Sequence, residues 1–214
     1  MNKTFFIADT HFMHEKILTA ETDLIPHGRP FATIEEHDET IVRNWNSVVG
    51  DKDTVYQLGD FALGKGNKKI LKCYYQMILH RLNGRKHLIV GNHDTKEIKE
   101  LEGWESVTDL STIKVRWTES KLEPLLGPIQ NNHVQKIVLC HYPLAAWGGS
   151  HYDGMSWHLH GHMHNTYERS PNRYYLDVGV DCWDFKPVEF EQIKEAFKDI
   201  KFKKLSQLQE DRNE

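Results

Sequence analysis

With 214 residues, 39% of them hydrophobic, 27% charged and 11% aromatic, the chain has the composition of an ordinary globular protein and is long enough to bury about 70% of its unfolded surface. No apolar run reaches the length of a membrane span, and a net charge of −4 without a basic stripe argues against a grip on extended nucleic acid. Three widely spaced cysteines, Cys73, Cys140 and Cys182, argue against a disulfide framework or a thiolate zinc site and read as buried free thiols. Met1-Asn2-Lys3 leads straight into an apolar strand with no leader pattern, so one cytoplasmic domain over residues 1–214 is expected.

The first apolar run, Phe5-Phe6-Ile7-Ala8, reads as a strand. Thr33 with Glu36 three residues on forms a capping box, and Ile34, Ile41, Val42, Trp45 and Val48 continue an amphipathic helix from it. Val55–Leu58 is a second strand. A second helix starts near Asn67, presents Ile70, Leu71, Tyr74, Met77, Ile78 and Leu82, and stops at Asn83-Gly84. A third strand, His87–Val90, completes β-α-β-α-β. The stretch from Val107 to Leu139 is richer in strand character, with Asn131-Asn132 placed as a hairpin turn and Ile137–Cys140 as its last apolar run. Tyr174–Val180 alternates as another strand. Past Pro187, the spacing of Phe190, Ile193, Ala196, Phe197 and Ile200 predicts a closing helix over about 188–205, followed by a frayed tail from Ser206.

Nearly every strand runs into a loop bearing potential ligands: Asp9-Thr10-His11, Gly59-Asp60, Gly91-Asn92-His93-Asp94, His141, and Gly161-His162-Met163-His164. Fourteen histidines occur in the chain, and these loops hold many of them. Carboxylate, imidazole and amide oxygen without thiolate suit a catalytic site for manganese, iron(II), nickel or zinc, with manganese the first choice. Asp9 and His11, like His162 and His164, are two residues apart and so converge at a strand end. Asp60 is the only acid of its cluster, and a carboxylate has two oxygens with which to bridge two cations.

This ordered set, Asp-x-His, Gly-Asp, Gly-Asn-His-Asp, His and Gly-His-x-His, resembles the calcineurin-like metallophosphoesterase superfamily over residues 9 to 164. Arg29-Pro30-Phe31, Asn44-Trp45-Asn46 and Asp177-Val178-Gly179-Val180-Asp181 extend the likeness to a branch of small prokaryotic and phage-type phosphoesterases. The resemblance implies an α/β fold, a four-layer α-β-β-α sandwich of two packed mixed sheets with helices outside and the metals at one edge. It implies two divalent cations, one held by Asp9, His11, Asp60 and His164, the other by Asp60, Asn92, His141 and His162. His93 is left off the metals.

The expected chemistry is hydrolysis of a small phosphodiester of nucleotide or cyclic-nucleotide type. Two cations about 3.5–4 Å apart generate hydroxide near neutral pH for in-line attack, and His93 serves as general acid with Asp94 orienting it. His14 and Arg29 are candidates for substrate contact, the latter through its planar fork. His158 and His160 are expected to serve structure. The aromatics of Tyr142–Trp157 either stack a base or pack their loop. Phe61-Ala62-Leu63-Gly64, where a protein phosphatase has Asp and Arg, disfavours that branch. A monoesterase or nuclease on the same site is the alternative, and a non-catalytic protein-binding scaffold the alternative of a different class.

Overall fold

The structure, a computed structural model, describes residues 2–19, 28–123, 127–166 and 173–200, with the side chains of 118–123 and 127–132 excepted. Five strands form one sheet: β1 (Thr4–Ile7), β2 (Thr54–Gln57), β3 (Arg85–Ile89), β4 (Trp104–Thr108) and, at the far edge, β9 (Val188–Glu189), in the order β4-β3-β2-β1-β9. The first four run parallel, and β9 pairs antiparallel to β1 through Phe6↔Val188. The second sheet has the order β5 (Leu110–Glu123), β6 (Gly127–Cys140), β7 (Ser156–His160) and β8 (Tyr175–Asp177). Its first pair is antiparallel and the other two are parallel, so both sheets are mixed. The chain is thus an α/β sandwich of two packed mixed sheets with helices outside.

Strand β1 explains the layering. Phe5 and Ile7 point to one face, where they meet Ile41 and Trp45 of α1 (Ile34–Val48) and Leu79 of α2 (Lys68–Arg81). Phe6 points the other way and, with Ala8, joins Ile137, Leu139, Trp157 and Leu159 of the second sheet. A period-2 strand apolar on both faces belongs at the centre of a sandwich. The expected N-cap holds, Thr33 accepting the Glu36 N–H, but Glu36 takes the Ala32 N–H rather than that of Thr33, so the box does not close on the cap residue itself. Helix α4 (Phe190–Phe197) follows β9 and packs Phe190 and Phe197 on Trp157.

Several expectations change. Residues 188 and 189 are strand, not helix, because Val188 completes the edge beside β1. The remainder of the expected closing helix beyond residue 200, and the tail, lie outside the described residues. Asn131 and Asn132 sit inside the β5–β6 ladder opposite Glu119 and Thr118, and the ladder runs on to Glu123↔Gly127. In α2 the apolar residues admit two helical stripes. The sheet takes the one through Tyr75, Ile78 and Leu79, leaving Ile70, Tyr74 and Met77 exposed. Val48 also faces outward, and Cys73 is exposed rather than buried. A one-turn α3 (Lys96–Lys99) follows the third ligand loop. Among the described residues no helix is long and apolar enough to cross a membrane.

Candidate metal centre

The carboxyl ends of β1, β2, β3, β6 and β7 open at one edge of the sandwich, and each candidate ligand stands one to four residues beyond such an end. Bringing them together requires tight reversals. Asp9, His11, Asp60, His162 and His164 all have left-handed φ angles, between 46° and 72°. Non-glycine residues rarely adopt that conformation, at a cost of order 1–3 kcal/mol each where the surroundings enforce it. The neighbouring glycines make the space: a Cβ on Gly91 would collide with Asp60 Oδ1, and one on Gly161 would stand 2.6 Å from Asp9 Oδ2.

Among the described residues two overlapping groups have ligand atoms within 4.8 Å of one another: Asp9, His11 and His164, and Asp9, Asp60 and His141. Asp9 belongs to both groups, and Asp60 Oδ2, in the second, also reaches the first: it lies 3.6 Å from His11 Nε2 and 3.5 Å from His141 Nε2. Asn92 Oδ1 is 3.0 Å from His141 Nε2. Since His141 Nδ1 donates to the Leu58 carbonyl at 2.8 Å, its Nε2 presents a lone pair to both oxygens. Three electron-rich atoms facing one point could hold a cation. Asp9 Oδ1 and His11 Nε2 are buried without a hydrogen-bond partner among the described residues. His162 joins through its backbone N–H, which donates to Asp9 Oδ2, while its ring lies beside that of His141 outside the two groups.

The electrostatics agree. Burial, then the nearby Asp177, Asp60 and Asp181, push the Asp9 carboxyl well above its ordinary range. Burial and the surrounding cationic groups, Arg29 first, hold His11 well below its ordinary value, in the neutral form that binds metal. Burial also lowers His141 and His162 against the pull of Asp60. Crowded carboxylates and neutral imidazoles at one buried point fit divalent cations held by oxygen and nitrogen.

His93 stands at the mouth, its side chain 39% exposed, with Nε2 3.9 Å from Asp60 Oδ2 and its backbone N–H on Asp60 Oδ1. It belongs to neither ligand group. Asp94 does not orient it. Both Asp94 oxygens accept backbone N–H groups, from Asp60, Phe61 and Gly91, and so tie the second ligand loop to the third. Burial pushes that carboxyl up to about 6 against those same hydrogen bonds. His14 does reach the site: its Nδ1 is 3.1 Å from His11 Nδ1, and burial followed by His93 lowers it to about 4.

Arg29 is not free to meet a substrate. It is 3% exposed, and its five N–H donors engage Asp181 twice, the Asp9 and Thr10 carbonyls, and His37 Nε2. A fork read as phosphate-binding instead fixes the backbone of the first ligand loop. Its partner Asp181 accepts from His164 Nδ1 at 2.8 Å, which leaves Nε2 of that candidate ligand for the group with Asp9 and His11. Burial raises the Asp181 carboxyl, but Arg29 and His164 together outweigh it and hold the group well below the usual range.

Asp181 and His37 were both missed as support from sequence. His37 lies on the core stripe of α1 at four-residue spacing from Ile41 and Trp45, and a buried polar residue in such a stripe requires partners. It finds them in Arg29 and, at 2.7 Å, Asp38. His158 and His160 are buried and structural, His158 holding the Val138 carbonyl and the Leu144 N–H. Trp147 and Trp157 pack rather than line an opening, leaving Tyr142, edge-on to His162, at the rim.

No family model matches the chain. It is 31% identical over 198 residues to the uncharacterized protein MJ1445 of Methanocaldococcus jannaschii, covering 90% of each chain. It is 30% identical over 204 residues to the Gene 66 protein of Mycobacterium phage L5, covering 86% of this chain and 88% of that one. Among solved structures, a protein of unknown function, AQ665 from Aquifex aeolicus, shares the fold with a TM-score of 0.57 at 24% identity, over 92% of this chain and all of that one.

Proposed function

The chain belongs to the family that includes MJ1445 of M. jannaschii and the Gene 66 protein of phage L5, and from its own residues we propose that it is a two-metal phosphoesterase of the calcineurin-like kind. The observation that carries this reading is the convergence of Asp9, His11, Asp60, His141 and His164 on one sheet edge, with Asp9 Oδ1 and His11 Nε2 buried without a hydrogen-bond partner among the described residues. In this reading Asp9, His11, Asp60 and His164 hold one cation, and Asp60, Asn92, His141 and His162 the other. Manganese is the first choice, ahead of iron(II), zinc and nickel.

When bound, the ions supply concentrated positive charge that lowers the pKa of water and offsets charge on phosphoryl oxygens. The residues of the chain prepare that chemistry. The Asp181 carboxylate and the Leu58 carbonyl fix the tautomers of His164 and His141 so that each offers Nε2. Asp94 holds the loops of Asp60 and Asn92 at constant separation through three backbone hydrogen bonds. His93, exposed at the mouth and outside the ligand groups, donates a proton to the leaving oxygen.

The exposed aromatic Tyr142 beside His162 and the small size of the chain support a small phosphodiester of nucleotide or cyclic-nucleotide type as the substrate, with a monoester as the alternative. The test is hydrolysis by purified, manganese-supplemented protein across a panel of nucleotide diesters, cyclic nucleotides and monoesters. Turnover of diesters above monoesters, abolished by chelator, supports the reading. A protein that binds no metal and turns over none of the panel is a scaffold instead.

A further inference from the structure

A cavity of about 510 Å³ adjoins the metal centre, walled by Met13, His14, Leu63, Tyr74, Met77 and Ile78. That volume falls within the roughly 300–1,000 Å³ of small-molecule sites. It meets the centre at His14, whose ring lies 5.1 Å from that of His11 and 6.1 Å from that of His93. Met13 and Leu63 extend the same two loops that carry His11 and Asp60. Tyr74 and Met77, which α2 leaves 49% and 59% exposed, form the outer wall. Large apolar side chains kept at the surface beside a catalytic centre mark a binding face.

Charge defines what enters. Glu15, Glu35, Asp38 and Glu39 line the cavity with Lys16, Lys65 and Arg81, so the signs nearly cancel. Arg81 is already held by Glu39 in a two-pronged pair at 2.6 and 2.7 Å, and Asp38 by the Met13 N–H and His37. A second phosphate or a polyphosphate tail finds no concentration of positive charge there. An uncharged flat group finds a tyrosine and two thioethers, which are polarisable partners for a π-face.

We infer that this cavity is the subsite for the organic arm of the substrate, and that it selects a diester with one phosphate and one uncharged aromatic base. The inference rests on the phosphoesterase reading for its chemistry, but the cavity itself does not depend on turnover. The experiment compares two five-membered cyclic diesters that present the same bond, adenosine 2′,3′-cyclic phosphate and ethylene phosphate, which has no base, using manganese-loaded protein followed by phosphorus NMR. Met77→Trp fills the cavity from an exposed position. It should lower the ratio of kcat/KM for the adenosine ester over ethylene phosphate about tenfold, the scale of one stacking contact, and Met77→Leu, which removes only the thioether and leaves the cavity open, should lower it less. A ratio unchanged in Met77→Trp overturns the subsite while leaving the hydrolase standing. If neither ester is turned over, the hydrolase reading fails, and adenosine binding by calorimetry decides the cavity alone: binding lost in Met77→Trp supports it, and equal or absent binding in both proteins overturns it.

Discussion

Arg29→Met separates a structural arginine from one that meets substrate. The guanidinium engages five acceptors, and its removal strands the Asp181 carboxylate, whose side chain is only 13% exposed, together with the Asp9 and Thr10 carbonyls. Removing one member of a buried ion pair costs about 3–5 kcal/mol, a large part of the roughly 5–15 kcal/mol that holds a domain folded. Asp181 without its anchor also no longer fixes His164, and loss of such a support lowers metal affinity about 10–100-fold. Urea unfolding of chelator-treated protein at pH 7 reads the first effect and manganese titration the second. The two residues are in contact, so the double variant Arg29→Met/Asp181→Asn should lose less stability than the sum of the singles. A variant with an unchanged urea midpoint and metal affinity but a raised KM would refute this account and restore Arg29 as a substrate contact.

Asp60→Asn should lose most hydrolysis and weaken both cations, because a neutral amide lacks the charge that sits 3.5 and 3.6 Å from His141 and His11; full occupancy in crystals of the variant would contradict the bridge. His93→Ala should keep both metals and lose on the order of 10²–10⁴ in rate, less for a nitrophenyl ester than for an alkyl one; loss of a metal would place His93 among the ligands. Burial lowers His158 to about 4, against the hydrogen bond to the Val138 carbonyl, so the folded protein binds fewer protons there than the unfolded chain between about pH 4 and its ordinary value near 6.5. Its stabilising contribution is therefore complete above about pH 6.5 and drains as pH falls toward 4, by up to about 1.4 kcal/mol per unit. His158→Gln should flatten urea midpoints measured with chelator between pH 7 and 5, and an unchanged slope would contradict the assignment.

The ligand loops were legible because the chemistry confined them to a few residue types directly after apolar runs, as with Asp9 after β1 and Asp60 after β2. The supporting residues were not, because their partners are distant in sequence: Arg29 and Asp181 are 152 positions apart, and the Asp94 carboxylate reaches back 34 to Asp60. Nothing local distinguishes a buried fork on a carboxylate from an exposed one awaiting phosphate. The same blindness affected α2, where two apolar stripes satisfy helical spacing and only the packed sheet chooses between them. Asn131-Asn132 has turn chemistry, but the cross-strand stacking of Trp117 on His133 belongs to a ladder that runs past it.

The most direct test of the metal centre is a manganese titration of chelator-stripped protein, with hydrolysis of bis(4-nitrophenyl) phosphate followed at each addition. Two ions per chain are expected, with hydrolysis rising as the second binds and both lost in Asp60→Asn. A stoichiometry of one or none, or hydrolysis that persists in chelator, would contradict a two-metal site on these residues.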